Sequence, residues 1–289
     1  GMRDKGFDVP AFDMVIGGDV PNGAGLSSSA ALTSCVGYAI NDMYSLGIEP
    51  EDIAHIGQLT EHNYIGVKCG IMDQFASIFG RKGNILRLDC RSLKFKYEPF
   101  ELESKGLSLL LLDTKVKHNL ASSEYNIRRE QCQNGVDIVA KYFYGVTSLR
   151  DVTVEMLTQC RSAMDSSTYL RCLYVVEENQ RVENACAALE QGDFESFGLM
   201  MNLSHHGLSK MYNVSCRELD VLADFAHSFE GVLGARMMGG GFGGCTINLV
   251  KTSVKNDFVE QVSYKYKSEF GILPRVVDVK IDDGAHKII

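Results

Sequence analysis

Apolar residues recur at helical spacing across residues 26–46, where Ala30, Ala31, Cys35, Ala39, Ile40 and Met43 follow a polar start of three serines. Gly47 supplies a stop. A second helix is predicted after Pro50, with Ile53, Ile56 and Leu59 on one side. Residues 67–70 break the pattern and residues 71–79 resume it as a short helix. Ahead of the first helix, residues 13–18 read as a short strand running into a glycine-rich turn. Residues 85–90 and 93–97 have strand character with a turn between them, and residues 107–113 read as a buried strand. From 122 to 231 the pattern is mainly helical, with breaks near Gly145, Gly192 and Asn213. Strand patterning returns at 232–237, 245–250 and 276–281, with a helix around 254–270.

Helices and strands mixed in this way predict an α+β fold. A chain of 289 residues has room for two modest domains with sizeable cores. The expected division falls near Lys105, giving domains 1–105 and 106–289.

Composition limits the partners. A formal charge of −8 disfavours a nucleic acid, whose phosphates call for clustered Lys and Arg. A polyanionic ligand must then be held by backbone amides, a metal and a few local cations. No membrane association is expected, since the apolar run at 107–112, broken by Ser108, is far short of the roughly 20 residues a spanning helix needs. Nine scattered cysteines with no C-x-x-C pair suggest neither a disulfide framework nor a zinc site, and fit a reducing, cytoplasmic setting.

The strongest local signal runs from Gly18 to Ala30 as G-D-V-P-N-G-A-G-L-S-S-S-A. Small residues let backbone N–H groups approach an anion, and the start of the following helix favours phosphate. A serine hydroxyl here is also a candidate Mg²⁺ ligand. No G-x-x-x-x-G-K-[ST] pattern is present, so this is not a P-loop, and an ordinary glycine turn with a serine cap remains an alternative. Downstream, Glu61 lies on the second predicted helix and Asp73 sits within Cys69-Gly70-Ile71-Met72-Asp73-Gln74-Phe75. Two carboxylates on neighbouring helices suit a metal ligand and a proton acceptor, although each also suits a solvated helix position.

The first segment resembles the P-x-G-A-G-L-S-S-S-A motif of the GHMP kinases, and C-G-I-M-D-Q resembles the narrower motif of their galactokinase branch. The resemblance implies that Gly23, Ala24, Gly25, Leu26, Ser27, Ser28 and Ser29 wrap the phosphates of ATP. It makes Ser29 and Glu61 ligands of Mg²⁺, Asp73 the catalytic base, and Gly70 a neighbour of the sugar. Residues 113–129 look like a further galactokinase stretch, in which Tyr125 bonds a sugar hydroxyl; by its chemistry alone Tyr125 is a half-buried helix residue. Ser204-His205-His206 and residues 211–215 are also galactokinase-like, with no chemistry assigned; paired histidines without a third ligand are more often structural.

Gly239-Gly240-Gly241-Phe242-Gly243-Gly244 fits G-x-G-x-x-G, but a strand pattern follows where a dinucleotide fold needs a helix. A glycine hairpin is the physical reading. Its similarity to the third GHMP motif implies that Gly240 and Gly241 close beside the phosphates.

The resemblance runs from Gly6 to the last residue and lacks the family's opening G-R-V-N-L-I-G-E-H-x-D-Y segment. It therefore implies an incomplete ribosomal-protein-S5-like first domain, followed by a ferredoxin-like domain with extra helices. Substrates are expected between the two, activity of this chain is expected to be low, and self-association through the incomplete domain is expected. The implied reaction transfers phosphate from ATP to the anomeric hydroxyl of D-galactose. N-acetylgalactosamine as the sugar, or an inactive sugar- and ATP-binding regulator or remnant, are the alternatives.

Overall fold

The computed structural model describes residues 1–21, 25–116 and 121–288, with the side chains of 121–123 left aside. The chain forms two compact units, Gly1–Glu101 with Lys280–Ile289, and Leu102–Val279. The division thus falls a few residues ahead of Lys105, and the final residues join the first unit.

The first unit is built on three helices: α1 (Ser28–Tyr44), α2 (Pro50–Thr60) and α3 (Met72–Phe79). Pro50 opens α2 at a position where its missing N–H costs nothing, and Glu51 and Asp52 suit the positive end of the helix. The predicted second helix does not run straight on. It passes into a π-helical turn, Glu61–Ile65, ended by Gly66 at φ 82°. Strands β1 (Asn84–Leu88) and β2 (Phe95–Pro99) pair antiparallel. Ile40, Ile53, Ile56, Ile71, Phe75 and Ile78 form the core, against which Leu86, Leu88 and Phe95 pack. Phe75 stacks on Phe79 with ring centroids 4.3 Å apart. The returning tail is fastened by N–H bonds from Gly284 to the Gly80 carbonyl and from Ala285 to the Ser77 carbonyl, each 2.8 Å.

The strand expected at 13–18 is absent. This segment has no ladder partner among the described residues, and Phe12, Val15 and Ile16 are exposed. An apolar pattern makes a strand only where a neighbour supplies the other half of its hydrogen bonds. The second strand of the hairpin also starts later than expected, because Leu93 lies in the turn at φ 57° rather than in β2.

The second unit opens with β3 (Leu107–Asp113) and continues through α4 (Ala121–Ala140), α5 (Val154–Gln159), α6 (Ser166–Glu190), α7 (Phe194–Gly207) and α8 (Arg217–Ser228). It then adds β4 (Val232–Met237), β5 (Cys245–Lys251), α9 (Lys255–Phe270) and β6 (Arg275–Val279). Side chains of Thr153, Asp165 and Asp193 accept backbone N–H bonds at the starts of α5, α6 and α7. The four strands form an antiparallel sheet in the order β4-β5-β3-β6. Leu110, Leu112, Leu222, Phe258, Val262 and Tyr266 bury its face under α8 and α9.

Strand β4 is an edge, and its outward backbone groups are answered by side chains. The N–H of Ala235 donates to Asn202 Oδ1 at 2.8 Å, and that of Met237 to His205 Nδ1 at 3.1 Å. His227 Nε2 meets the Ala235 carbonyl at 2.9 Å. Asn202 and His205, three residues apart on α7, thus close an edge that otherwise invites pairing. This covering needs close backbone approach: a Cβ at Gly198 would lie 2.2 Å from the Leu233 carbonyl oxygen. Gly198→Ala is expected to cost about 1–3 kcal/mol by overpacking α7 against β4. Urea unfolding measures this, and an unchanged midpoint contradicts it.

Candidate active site

Ser29, Glu61 and Asp73 each lie within one helical turn, in sequence, of residues that touch at one helix crossing of the first unit. A Cβ at Gly57, on α2, would meet Thr33 Oγ1 of α1 at 3.3 Å and Gln74 Cγ of α3 at 3.1 Å. Thr33 is one turn from Ser29 and donates its hydroxyl to the Ser29 carbonyl at 3.0 Å. Glu61 is one turn beyond Gly57, and Asp73 adjoins Gln74. A helix spacing of four residues keeps Ser29 with Thr33 and Glu61 with Gly57 on one face, while Asp73 is one position from Gln74. The crossing therefore brings together the helical segments that carry Ser29, Glu61 and Asp73.

The start of α1 is open. Gly25 and Ser27 have left-handed backbone, at φ 72° and 51°, and Ser27 makes no side-chain cap. Among the described residues the N–H groups of Ser28, Ser29 and Ala30 have no acceptor. Unanswered amides at a helix start form an anion site. Leu26, Ser27 and Ser28 are half-buried and Ser29 is exposed at this end. Gly23 and Ala24 lie outside the described residues.

Glu61 is only 5% exposed, and its Oε1 has no hydrogen-bond partner. Gln74 Oε1 on α3 and Ser34 Oγ on α1 are also buried and unanswered. A buried oxygen without a donor is costly, so the Glu61 side chain fits a cation better than it fits the bare protein. Among the described residues no group of three His, Cys, Asp or Glu side chains makes a metal cage. One carboxylate, one hydroxyl and ligand phosphates suffice for Mg²⁺, which keeps much of its oxygen shell from water and substrate.

The segment between Glu61 and Asp73 is fixed by side chains of α2 and the π turn. Gln58 Nε2 and His62 Nε2 reach the Cys69 carbonyl at 3.2 and 2.8 Å. Burial, then the charge of Glu61, push the Cys69 thiol up, and Asp73 adds to the effect. Both carboxylates therefore act on one thiol. Gly70 is exposed, and a Cβ added there would meet no atom within 4 Å, so its backbone is bare to a ligand.

In the second unit, Gly239, Gly241, Gly243 and Gly244 all take positive φ, as does Phe242 at 59°. Strand β5 follows directly, which makes this a glycine hairpin between β4 and β5. Gly241 cannot carry a side chain: at φ 84° its Cβ would lie 2.1 Å from the Val214 carbonyl oxygen. Gly240 is open on its Cβ side and exposed. The far end of the hairpin is clamped by Thr114, whose N–H and hydroxyl both donate to the Gly244 carbonyl, at 2.9 and 2.8 Å. Tyr125 stands half-buried on α4 of the same unit.

Comparisons with known proteins give these features a family. The family model described as GHMP kinases N terminal domain matches residues 2–81, and that described as GHMP kinases C terminal matches residues 185–268. A galactokinase of Thermotoga petrophila is 39% identical over 287 residues, covering 99% of this chain and 79% of that protein. A galactokinase of Clostridium perfringens is 41% identical over 272 residues, covering 93% of this chain and 70% of that protein. The crystal structure of Lactococcus lactis galactokinase complexed with galactose superposes with a TM-score of 0.91 at 32% identity, covering 99% of this chain and 74% of that one. The chain has the fold of the GHMP kinases. Within that class it belongs to the galactokinase family.

The sequence marks the three motifs, Gln74 within the second, but gives no comparable notice of Gly57 and Thr114. Gly57 does carry a signal, because a glycine inside a helix costs about 1 kcal/mol relative to alanine and calls for a packing reason. Nothing local marks Thr114, whose partner is 130 residues away.

Replacing Glu61 by its uncharged isostere separates stability from ligand binding. Glu61→Gln is expected to raise the melting temperature, because a buried unpaired carboxylate is removed, while weakening Mg²⁺-dependent nucleotide binding. The same variant relieves the upward push on Cys69, so more thiolate forms at a given alkaline pH and alkylation at Cys69 speeds up. Melting and peptide-mapped alkylation check both; a lower melting temperature with unchanged Cys69 reactivity contradicts the geometry.

Proposed function

We propose that the chain transfers the terminal phosphoryl group of ATP to the anomeric hydroxyl of D-galactose, giving galactose 1-phosphate and ADP. The observation that carries this reading is the unanswered Glu61 carboxylate at the crossing that also bears Ser29 and Asp73, beside an uncapped helix start.

The residues divide the work. The N–H groups at Ser28–Ala30, which have no acceptor among the described residues, together with Gly23 and Ala24, hold the phosphate chain, and the backbone at Gly240 and Gly241 offers further donors. Ser29 and Glu61 hold Mg²⁺, which when bound neutralises charge that builds on the phosphate oxygens. Asp73 accepts the proton of the sugar hydroxyl as that oxygen attacks phosphorus. Gly70 presents bare backbone to the sugar, and Tyr125 offers its hydroxyl to a sugar oxygen.

A cytoplasmic setting belongs to the same reading and is supported by nine cysteines, none of them in a disulfide among the described residues. No helix among the described residues is long and apolar enough to cross a membrane. Self-association through the first unit is supported by the exposed Phe12, Val15, Ile16 and Val20. Sedimentation over a concentration series reads it, and a single monomeric species throughout contradicts it.

Asp73→Asn tests the chemistry. Turnover, followed by phosphorus NMR of galactose 1-phosphate, is expected to fall by about 10²–10⁴-fold, with ATP·Mg affinity little changed. An Asp73→Asn chain as active as the parent refutes the assignment.

A further inference from the structure

The glycine hairpin of the second unit is held at two points, and both lead to one carboxylate. At its root, the Met237 N–H donates to His205 Nδ1 at 3.1 Å. That bond leaves the imidazole proton on Nε2, which lies 3.3 Å from Asp220 Oδ1, within ion-pair range but outside hydrogen-bond geometry. In its middle, the Phe242 N–H donates to the Val214 carbonyl at 2.7 Å. The neighbour of Val214, Ser215, donates its hydroxyl to the same Asp220 Oδ1 at 2.6 Å. Asp220 Oδ2 accepts from Ser209 at 2.8 Å and lies 3.4 Å from Lys210 Nζ.

The segment that carries Val214 has no regular structure of its own to hold it. It leaves the π-helical turn Leu208–Tyr212 through Asn213, whose φ is 56°. Arg128, buried on α4, donates to the Tyr212 and Asn213 carbonyls at 3.0 Å each. Those bonds fix the segment on one side and the Ser215–Asp220 bond fixes it on the other. Burial opposes the charge of Asp220, but the nearby His205 imidazole and the hydroxyls of Ser215 and Ser209 outweigh it and hold the carboxyl well below the usual range. The ionised form is therefore the one that organises these donors.

We propose that Asp220 is a positioning residue for nucleotide binding, tying the root and the middle of the Gly239–Gly244 hairpin to a single anchor so that the Gly240 and Gly241 amides stand ready for phosphate. This inference rests on the kinase reading given above. It concerns side chains that touch no ligand, and it gives His205, part of a histidine pair without evident chemistry, a definite task.

The two oxygens of Asp220 supply the test. Ser215 and Ser209 each donate one hydroxyl to it, but only Ser215 adjoins the residue that holds the hairpin. Ser215→Ala is expected to weaken ATP·Mg binding about tenfold by calorimetry on the full chain, the loss of one bond to a charged acceptor. Ser209→Ala is expected to leave that affinity unchanged at a similar melting temperature. Asp220→Ala should weaken ATP·Mg binding at least as much as Ser215→Ala, Asp220→Asn should recover part of it, and galactose affinity should hold in all four. Equal effects of the two serine variants, or losses for both ligands in proportion to melting temperature, overturn the proposal and leave the kinase reading standing. If Asp220→Ala does not fold, the serine pair decides alone. A parent chain that binds no ATP·Mg overturns the kinase reading and this inference with it.

Discussion

A chain with eight net negative charges repels a nucleotide unless the contact is made by bare backbone and a cation. That constraint accounts for the character of both units. In the first, Ser27 gives α1 no side-chain cap, and its leading amides have no acceptor among the described residues. In the second, positive φ at four glycines and at Phe242 turns a hairpin into a shallow backbone surface. Both places offer backbone, and at the second the Arg128 guanidinium stands over the Phe242 ring, 5.8 Å from its centroid. In the first unit Glu61, buried with one oxygen unanswered, is a group suited to a cation.

Bare backbone is soft, and many interactions are needed to hold it. Gly57 lets the three helical segments that carry Ser29, Glu61 and Asp73 approach closely. In the second unit Thr114 grips the Gly244 carbonyl, and Tyr266, fully buried, donates to the Thr114 carbonyl at 2.8 Å. The core of that unit thus reaches the hairpin through two hydrogen bonds. The covered edge of β4 does a second job, since the His205 that satisfies it also secures the hairpin root.

Elements with a strong local signal were legible in the sequence. The run 107–113 and the segment 232–237 form strands with the expected bounds, since apolar continuity and flanking turns decide them locally. Residues 13–18 carry a similar pattern and form no strand, because a ladder partner is a property of the rest of the chain. Leu93 misled for the opposite reason, an apolar residue placed in a turn. The motif residues were legible as chemistry, whereas the bonds that position them were not: His205 and Asp220 are fifteen residues apart across a π-helical turn, and no periodicity predicts that they meet. The π turn itself, beginning at Glu61, departs from the regular helix that the pattern of Ile53 and Ile56 suggested.

If one helix crossing presents Ser29, Glu61 and Asp73 to a single metal–nucleotide complex, a paramagnetic ion in that complex must reach all three. Line broadening by Mn²⁺·ATP, read on the backbone amides of the isotopically labelled chain, tests this most directly. Signals of Ser28, Ser29, Ala30, Glu61 and Asp73 are expected to broaden together at substoichiometric Mn²⁺. Broadening that spares Glu61 and falls instead on exposed carboxylates such as Asp282 and Asp283 would contradict it.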